Sequence, residues 1–218
     1  ILRSAFENNV DHLILLSCSV MYKTSLEPVK EIDLDLNDEI YNNYFGGAWN
    51  KIYFEKMCEF YSRLGTTKYT ALRHSNIYGP YDKYNLQSAH VFAATINKII
   101  NNKSKQLTIW GDGSEKRDFL HVSDMINAIY HVIKKQKMSY KLYNIGYGKA
   151  YSVNDLVKKM LKITGRDLNI IYDLDKPTNK ISFCLNCNKA MNEIQWRPKI
   201  SIEDGIKSTV EWFKINNQ

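Results

Sequence analysis

A short, uniformly apolar segment near the start of the chain limits the fold more than any other feature. It has the sequence HLILLSCSVM over residues 12–21 and no helical stripe, which is typical of a buried parallel strand. The next segment, WNKIYFEKMCEFYSRLG, carries apolar residues at helical spacing and ends at Gly65. TKYTALRHSNIYGP, residues 67–80, then predicts a second strand. Strand, helix and strand in this order predict a βαβ unit.

The rest of the chain predicts a mixture of helices and short strands. Helices are expected over 90–102 and over 124–136, the latter capped by Ser123 or Asp124. Two later helices are expected to begin after Ser152 and Ser201. We therefore predict an α/β protein, the C-terminal part of a doubly wound Rossmann-like parallel sheet followed by a small mixed α/β lobe. Residues 1–80 would form the sheet and 81–218 mainly the lobe, with 140–150 returning to the sheet.

Composition excludes several other classes of protein. The 218 residues are 44% hydrophobic and include 10 Gly, 4 Pro and 4 Cys, which excludes collagen, a wholly disordered chain and a disulfide scaffold. No uninterrupted apolar run approaches the roughly 20 residues that span a bilayer, so we expect a soluble protein with no membrane partner. Because the chain opens at Ile1 in the middle of a helical pattern, we expect it to be a fragment or a processed chain.

The charge balance points to a small anionic partner. The chain has 30 Lys and Arg against 23 Asp and Glu, a formal net charge of +7. These cations are spread along the chain, and the one dense cluster, Lys134, Lys135 and Lys137, lies at the end of a predicted helix, where it complements the helix dipole. We therefore expect no nucleic-acid partner. The positive surplus would still favour a polyanionic small molecule such as a nucleotide.

The cysteines predict a reducing compartment, and hence the cytoplasm. Cys18 lies in the apolar strand and Cys58 on a helix. Cys184 and Cys187 form a CxxC, yet no second pair of cysteines or histidines follows to complete a tetrahedral site, so no metal site is predicted.

Several ordered motifs together resemble the extended short-chain dehydrogenase/reductase family of nucleotide-sugar epimerases, dehydratases and reductases. They are SCSV at the end of the first strand, LRHSNIYGP, WGDGSEKRDFLHVSD, YNIGYG and NKAMNEIQWRPKISIEDGI. They cover nearly the whole chain in the family's order. The stretch GPYDKYNLQSAHV, residues 79–91, resembles most the GDP-L-fucose synthase branch.

This resemblance implies a nicotinamide cofactor, NAD or NADP, that exchanges a hydride with a sugar carbon while a Tyr transfers the matching proton. Ser17 matches the family's Ser, which hydrogen-bonds the reacting sugar oxygen, and Lys51 matches the Lys that holds the nicotinamide ribose. His74 would lie beside the nicotinamide, Asn76 would face the sugar nucleotide, and Arg117 would bind its diphosphate, with a surface ion pair to Asp118 as the alternative.

The family's Tyr, four residues before the Lys, is replaced by Gly47. Tyr44 could supply the phenol from a loop made pliable by Gly46 and Gly47, which would then have to leave the helix and fold back. Alternatively, a water or another residue transfers the proton, or the protein only binds nucleotide sugar. The alternative to a catalytic role for Tyr44 itself is that its aromatic ring only packs on the loop.

Two further positions bear on proton transfer. His90 matches an acid of the fucose-synthase branch, and capping of the following helix is its alternative role. Ser19 stands where that branch has a basic Cys, and a Ser hydroxyl is a far poorer base than a thiolate. Cys18 is one residue away, and neighbouring strand residues face opposite sides. These differences argue against double epimerisation of that kind.

The resemblance therefore predicts an enzyme that reduces or epimerises a nucleotide-diphosphate sugar at a 4-keto or 4-hydroxy carbon, with a binding protein that has lost activity as the alternative. The family's glycine-rich phosphate loop would lie before Ile1, so the sequence does not choose between NAD and NADP. The aromatic surplus of the helix from Trp49 to Leu64 adds the prediction of a homodimer.

Overall fold

The computed structural model describes residues 1–176, 178 and 182–217. Seven α-helices, two short 3-10 turns and eight strands make up this part of the chain. In chain order they are α1 (Leu2–Glu7), β1 (His12–Leu16), a first 3-10 turn (Glu31–Asp33), a second 3-10 turn (Asn42–Tyr44), α2 (Phe45–Tyr61), β2 (Lys68–His74), β3 (Asn76–Tyr78), α3 (Val91–Ile100), β4 (Gln106–Trp110), β5 (Lys116–His121), α4 (Val122–Lys135), β6 (Tyr140–Ile145), β7 (Ala150–Ser152), α5 (Val153–Thr164), β8 (Asn169–Asp173), α6 (Asn188–Ile194) and α7 (Ile202–Asn216).

The first sheet is parallel, with the strand order β1, β2, β6. Leu15 lies opposite Ala71, and Ala71 lies opposite Leu142 on the other side. The helix between β1 and β2 completes the predicted βαβ unit, and the fold class is confirmed. β6 comes after α4 in the chain and returns to the first sheet, where it pairs with β2. The boundary at residue 80 between the sheet and the lobe stays a prediction.

The single strand predicted over 67–80 is two strands in different sheets. β2 belongs to the first sheet, and β3 pairs with β5 in a second sheet that also holds the antiparallel β7. The chain crosses between the sheets at Ser75, whose backbone N–H donates to the carbonyl of Ile145 at the end of β6. β4 and β8 form a separate parallel pair. The crossing brings residues 74–76 to the gap between the two larger sheets.

Two apolar cores lie on either side of that gap. One packs α4 and α6 against the first sheet around the fully buried Trp196, whose indole N–H donates to the carbonyl of Asp124. The other packs α3, α5 and α7 around Tyr78 and Phe92, whose rings stack at 3.9 Å between centroids. Each core fixes one wall of the gap, so the residues that line it are held by packed elements.

Three helix starts test the predicted caps. Ser152 and Ser201 each accept a hydrogen bond from the backbone N–H three residues on, as expected for α5 and α7. The prediction for α4 was wrong: the helix begins at Val122, and His121 is its cap. Asp124 is buried in the first turn of α4, where its carboxylate accepts the N–H groups of Lys199 and Ile200. Asp124 therefore ties the segment before α7 to α4.

Candidate active site

A cavity of about 320 Å³ opens where β1 and β2 end and β3 and β5 begin. We call it the strand-end cavity. Polar or ionisable side chains contribute much of its lining: Cys18, Ser19, Tyr44, His74, Ser75, Asn76, His90, Lys116, Arg117 and Asp118. Ligands of open α/β sheets bind at the carboxyl ends of the strands, so this position is the expected one for chemistry.

A second cavity of about 550 Å³ lies on the lobe side, and we call it the Trp110 cavity. Trp110 and Lys98 line it, with the Lys98 ammonium 5.8 Å from the centre of the indole ring. Tyr44, Val91 and Arg117 line both cavities. The two spaces therefore meet at these three residues, and together they lie within the range of volumes typical of small-molecule sites.

Ser17, the predicted partner of the sugar oxygen, does not line the strand-end cavity. Its side chain is fully buried, and its hydroxyl donates to Glu55 of α2 at 2.5 Å. The next two residues, Cys18 and Ser19, do line the cavity. The role of Ser17 at the sugar stays a prediction, and the side chains that reach the site from this strand end are those of Cys18 and Ser19.

Lys51 lies on α2, and its side chain reaches the carboxyl end of β1. Its ammonium donates to the carbonyl of Leu16, the last residue of β1, at 2.6 Å. Burial raises the pKa of the Cys18 thiol, and the Val20 backbone and the Lys51 charge oppose this effect in part. Cys18 therefore stays protonated at neutral pH and is poorly suited to act as a base.

The loop predicted around Gly46 and Gly47 is absent, which corrects the fold-back expected for Tyr44. Both glycines are inside α2, and the chain turns earlier, in the 3-10 turn that ends at Tyr44. Tyr44 is the residue that precedes the helix, so it lies about two turns from Lys51 on the same face. A Cβ built at Gly47 would meet no atom within 4 Å among the described residues. The position of the family's Tyr is thus open space beside the site.

The two histidines of the cavity have different surroundings. His90 precedes α3, where its side chain makes no capping hydrogen bond, and it is exposed at the cavity. His74 donates from Nδ1 to the carbonyl of Ser75 at 2.8 Å, because a carbonyl oxygen can only accept. Burial lowers the pKa of His74, which keeps the ring neutral and leaves Nε2 as an acceptor.

Asn76 and Arg117 are both anchored at β5. The Asn76 amide donates to the carbonyl of Asp118 at 3.1 Å. Arg117 pairs with Glu115 at 3.3 Å, whereas the sequence suggested Asp118 as the alternative partner. The reason is that Asp118 is buried and points the other way, toward backbone groups of other segments. Arg117 therefore makes its ion pair with Glu115 and not with Asp118.

Asp118 is a structural residue of the site that the sequence did not reveal. Its carboxylate accepts the N–H groups of Tyr147, Gly148 and Leu185, and burial raises its pKa. A Cβ at Gly146 would come within 2.8 Å of one of the Asp118 carboxylate oxygens. This close approach explains why the first glycine of the YNIGYG motif carries no side chain. The sequence places Asp118 next to the apolar Phe119 in the motif EKRDF, which was the available indication of a structural role. Nothing in the sequence identifies the three backbone N–H groups that its carboxylate accepts.

The CxxC of Cys184 and Cys187 has a packing role. The Cys187 sulfur accepts the N–H of Gly146 at 3.2 Å and is buried, and burial raises its pKa. None of the four cysteines forms a disulfide.

Within residues 1–176, 178 and 182–217 there is no group of three or more His, Cys, Asp or Glu arranged to hold a metal ion. In the same residues no helix has the length and apolar character needed to cross a bilayer.

Comparison with known proteins agrees with this architecture. Residues 1–146 match the model of the NAD dependent epimerase/dehydratase family. The chain is 30% identical over 217 residues to the GDP-L-colitose synthase of Yersinia pseudotuberculosis, covering 98% of this chain and 70% of that protein. It is 28% identical to the GDP-L-fucose synthase of Escherichia coli K12, covering 99% of this chain and 70% of that protein.

Among solved structures, the UDP-glucose 4-epimerase of Thermotoga maritima with UDP-glucose superposes with a TM-score of 0.88 at 28% identity. The match covers 100% of this chain and 68% of the epimerase chain. The site and the fold thus define an enzyme of the nicotinamide-dependent, nucleotide-sugar-modifying class. The chain belongs to the NAD-dependent epimerase/dehydratase family. The predicted family, cofactor class and type of activity are confirmed, and the relatives lend no support to the alternative of an inactive binding protein.

Proposed function

We propose that the two joined cavities hold one nucleoside diphosphate sugar, with the nucleoside in the Trp110 cavity and the sugar in the strand-end cavity. The enzyme would then reduce or epimerise the sugar at a 4-keto or 4-hydroxy carbon. One observation carries this proposal: Arg117 lines both cavities where they meet, which is where the diphosphate would lie. A guanidinium binds paired phosphate oxygens with two parallel hydrogen bonds.

The residues of the strand-end cavity also fit a nicotinamide cofactor. The neutral ring of His74, with Nε2 as an acceptor, and the hydroxyl of Ser19 line this cavity and could hydrogen-bond to the amide of the nicotinamide. Lys51 is not among the residues that line the cavity, but its ammonium lies at the end of β1 and could bind the ribose. His74 lines the cavity and could pack beside the ring. When bound, the cofactor takes up or delivers a hydride at the sugar carbon. The chain's own part is to orient the sugar and to move one proton.

The proton is the part of the chemistry for which this chain departs from its family. Tyr44 is our first candidate for the donor, because it lines both cavities and shares a helix face with Lys51. His90 is the second, because its ring is exposed at the cavity and histidine is the side chain that most often transfers protons in catalysis. Asn76, held by the Asp118 carbonyl, would orient the sugar nucleotide.

Replacing Arg117 with Ala should weaken the binding of GDP or UDP by about 1.5–3 kcal/mol, the range for hydrogen bonds to a charged group. Titration calorimetry on the full-length protein measures this directly. Arg197→Ala removes the same charge from an exposed loop outside both cavities and should leave the affinity unchanged. Equal affinities for the parent and Arg117→Ala would place the diphosphate elsewhere.

We further propose that the protein is a homodimer that pairs through α2. Four aromatic residues of this helix are exposed: Phe45 by 57%, Tyr53 by 59%, Phe54 by 42% and Phe60 by 50%. Tyr61, also counted in the sequence prediction, packs inward against the rings of Phe6 and Tyr69. Exposed aromatic surface of this kind on one helix favours burial in an interface.

Light scattering at micromolar concentration should therefore give the mass of a dimer. Replacing Tyr53 and Phe60 together with Lys should give a monomer, because two charges cannot be buried in an apolar interface without partners. Tyr130→Lys, at an equally exposed aromatic of α4, is the matched control and should leave the dimer intact. A monomer mass for the parent would refute the proposal.

A location in the cytoplasm stays a prediction, which the four unpaired cysteines support.

A further inference from the structure

A carboxylate lies beside Arg117, the residue proposed to bind the diphosphate. Glu115 immediately precedes β5 and lines the Trp110 cavity. Its Oε2 accepts a hydrogen bond from Nη2 of Arg117 at 3.3 Å, and the two side chains are only 12% and 19% exposed. An acidic side chain would repel a bound diphosphate if it faced the phosphates directly. Its presence beside Arg117, which lines both cavities, therefore needs a reason.

The second observation concerns another nitrogen of the same guanidinium. Nε of Arg117 is buried and donates to none of the described residues. A guanidinium is planar and its N–H groups point in fixed directions, so a bond that holds Nη2 also fixes the direction of Nε–H. A buried donor without an acceptor is unfavourable and rare in folded proteins, so another contact must hold the guanidinium in this orientation, and the bond from Nη2 to Glu115 is such a contact.

We propose that Glu115 is a positioning residue for the diphosphate, an inference that rests on the proposed function. By holding Nη2, the carboxylate fixes the plane of the Arg117 guanidinium, so that the part of the side chain that lines the junction of the cavities is already oriented to donate to a phosphate oxygen. Glu115 itself does not touch the ligand. Because the arginine is oriented before the ligand arrives, less conformational entropy is lost on binding.

The local charges are compatible with this role. Lys98 lines the Trp110 cavity and Lys116 the strand-end cavity, so two ammonium groups remain besides the Arg117–Glu115 pair. The Asp118 carboxylate accepts three backbone N–H groups and is turned away from the junction. The junction therefore stays favourable for an anion even though Arg117 is paired.

The test compares Glu115→Ala and Glu115→Gln in the full-length protein by calorimetry with GDP and UDP. The Ala variant should bind both diphosphates about tenfold more weakly, which is the effect of impairing one charged hydrogen bond. The Gln variant retains an acceptor for Nη2 and should lose less. Guanosine and uridine, followed by ligand-observed NMR, should bind all three proteins equally, because they carry no phosphate. Thermal melts establish that both variants fold.

Glu193→Gln is the matched control, because it removes one negative charge from an ion pair with Lys141 outside both cavities, and it should change nothing. Diphosphate binding that is unchanged or tighter in Glu115→Ala would overturn the inference and show that the carboxylate competes with the ligand. A proportional loss for nucleosides and diphosphates would also overturn it, since Glu115 would then shape the whole cavity. If the parent bound neither GDP nor UDP, the proposed function itself would fail.

Discussion

Replacing Glu55 with Ala should lower the free energy of unfolding by about 3–5 kcal/mol, the cost of removing one partner from a buried ion pair. Glu55 and Arg73 are 4% and 5% exposed, and their side chains share three hydrogen bonds of 2.7–3.1 Å. Ser17 also donates to Glu55. Without the carboxylate, the Arg73 charge would remain buried with only Tyr22 and a backbone carbonyl as acceptors.

Chemical denaturation followed by circular dichroism measures this loss. Glu59→Ala, one turn further along α2, is the control, because the partners of Glu59 are exposed and such pairs contribute less than about 1 kcal/mol. The double variant Glu55→Leu with Arg73→Met should recover much of the stability, since apolar residues of similar volume often replace buried ion pairs at little cost. If Glu55→Ala and Glu59→Ala lost the same amount, the pair would not have the expected role.

The Glu55–Arg73 ion pair also explains why the sequence could not predict that Ser17 is buried against Glu55 instead of lining the cavity. The apolar run predicted a strand whose end lies at the ligand crevice, and that part is confirmed by β1 and the cavity after it. Which of three consecutive small residues faces the crevice depends on a carboxylate 38 residues later and on Arg73 beyond it. No local pattern carries that information, because it arises from packing between α2 and two strands.

The helix caps show the opposite case. Ser152 and Ser201 could be predicted because a cap is a local interaction, made within three residues of the helix start. Asp is also a common helix cap, but Asp124 lies within the first turn of α4, and its carboxylate binds the distant backbone of Lys199 and Ile200. The site residues that the sequence missed, Glu115 and Asp118, likewise depend on contacts that only the tertiary structure brings about.

Gly47 could be recognised from the sequence as the missing Tyr position, yet its consequence could not. Two consecutive glycines predicted a pliable loop, because glycine lowers the stability of a helix interior by about 1 kcal/mol relative to Ala. In the structure both are helical, since the flanking residues Ala48 and Ile52 pack into a small core with Met21 and Ile40. Burial of this apolar face outweighs the local preference of the glycines.

Converting Tyr44 to Phe should lower turnover by about a hundredfold or more while leaving nucleotide affinity nearly unchanged. The change removes only the hydroxyl, so the ring continues to fill the junction of the two cavities. A group that acts in proton transfer contributes to the transition state rather than to binding, and its loss therefore appears in kcat and not in the affinity. Tyr130→Phe is the matched control, because Tyr130 is exposed on α4 and lines neither cavity.

A rescue variant sharpens this test. Gly47→Tyr restores the family's spacing to Lys51, and a side chain at this position would enter open space. Combined with Tyr44→Phe, it should recover much of the lost turnover, because the new phenol would lie one helical turn from the Lys51 ammonium. Gly46→Tyr places the same ring one residue away, on a different face of α2, and should not rescue. If Tyr44→Phe turned over as fast as the parent, Tyr44 would be a packing residue, and the proton would have to come from His90 or from a bound water.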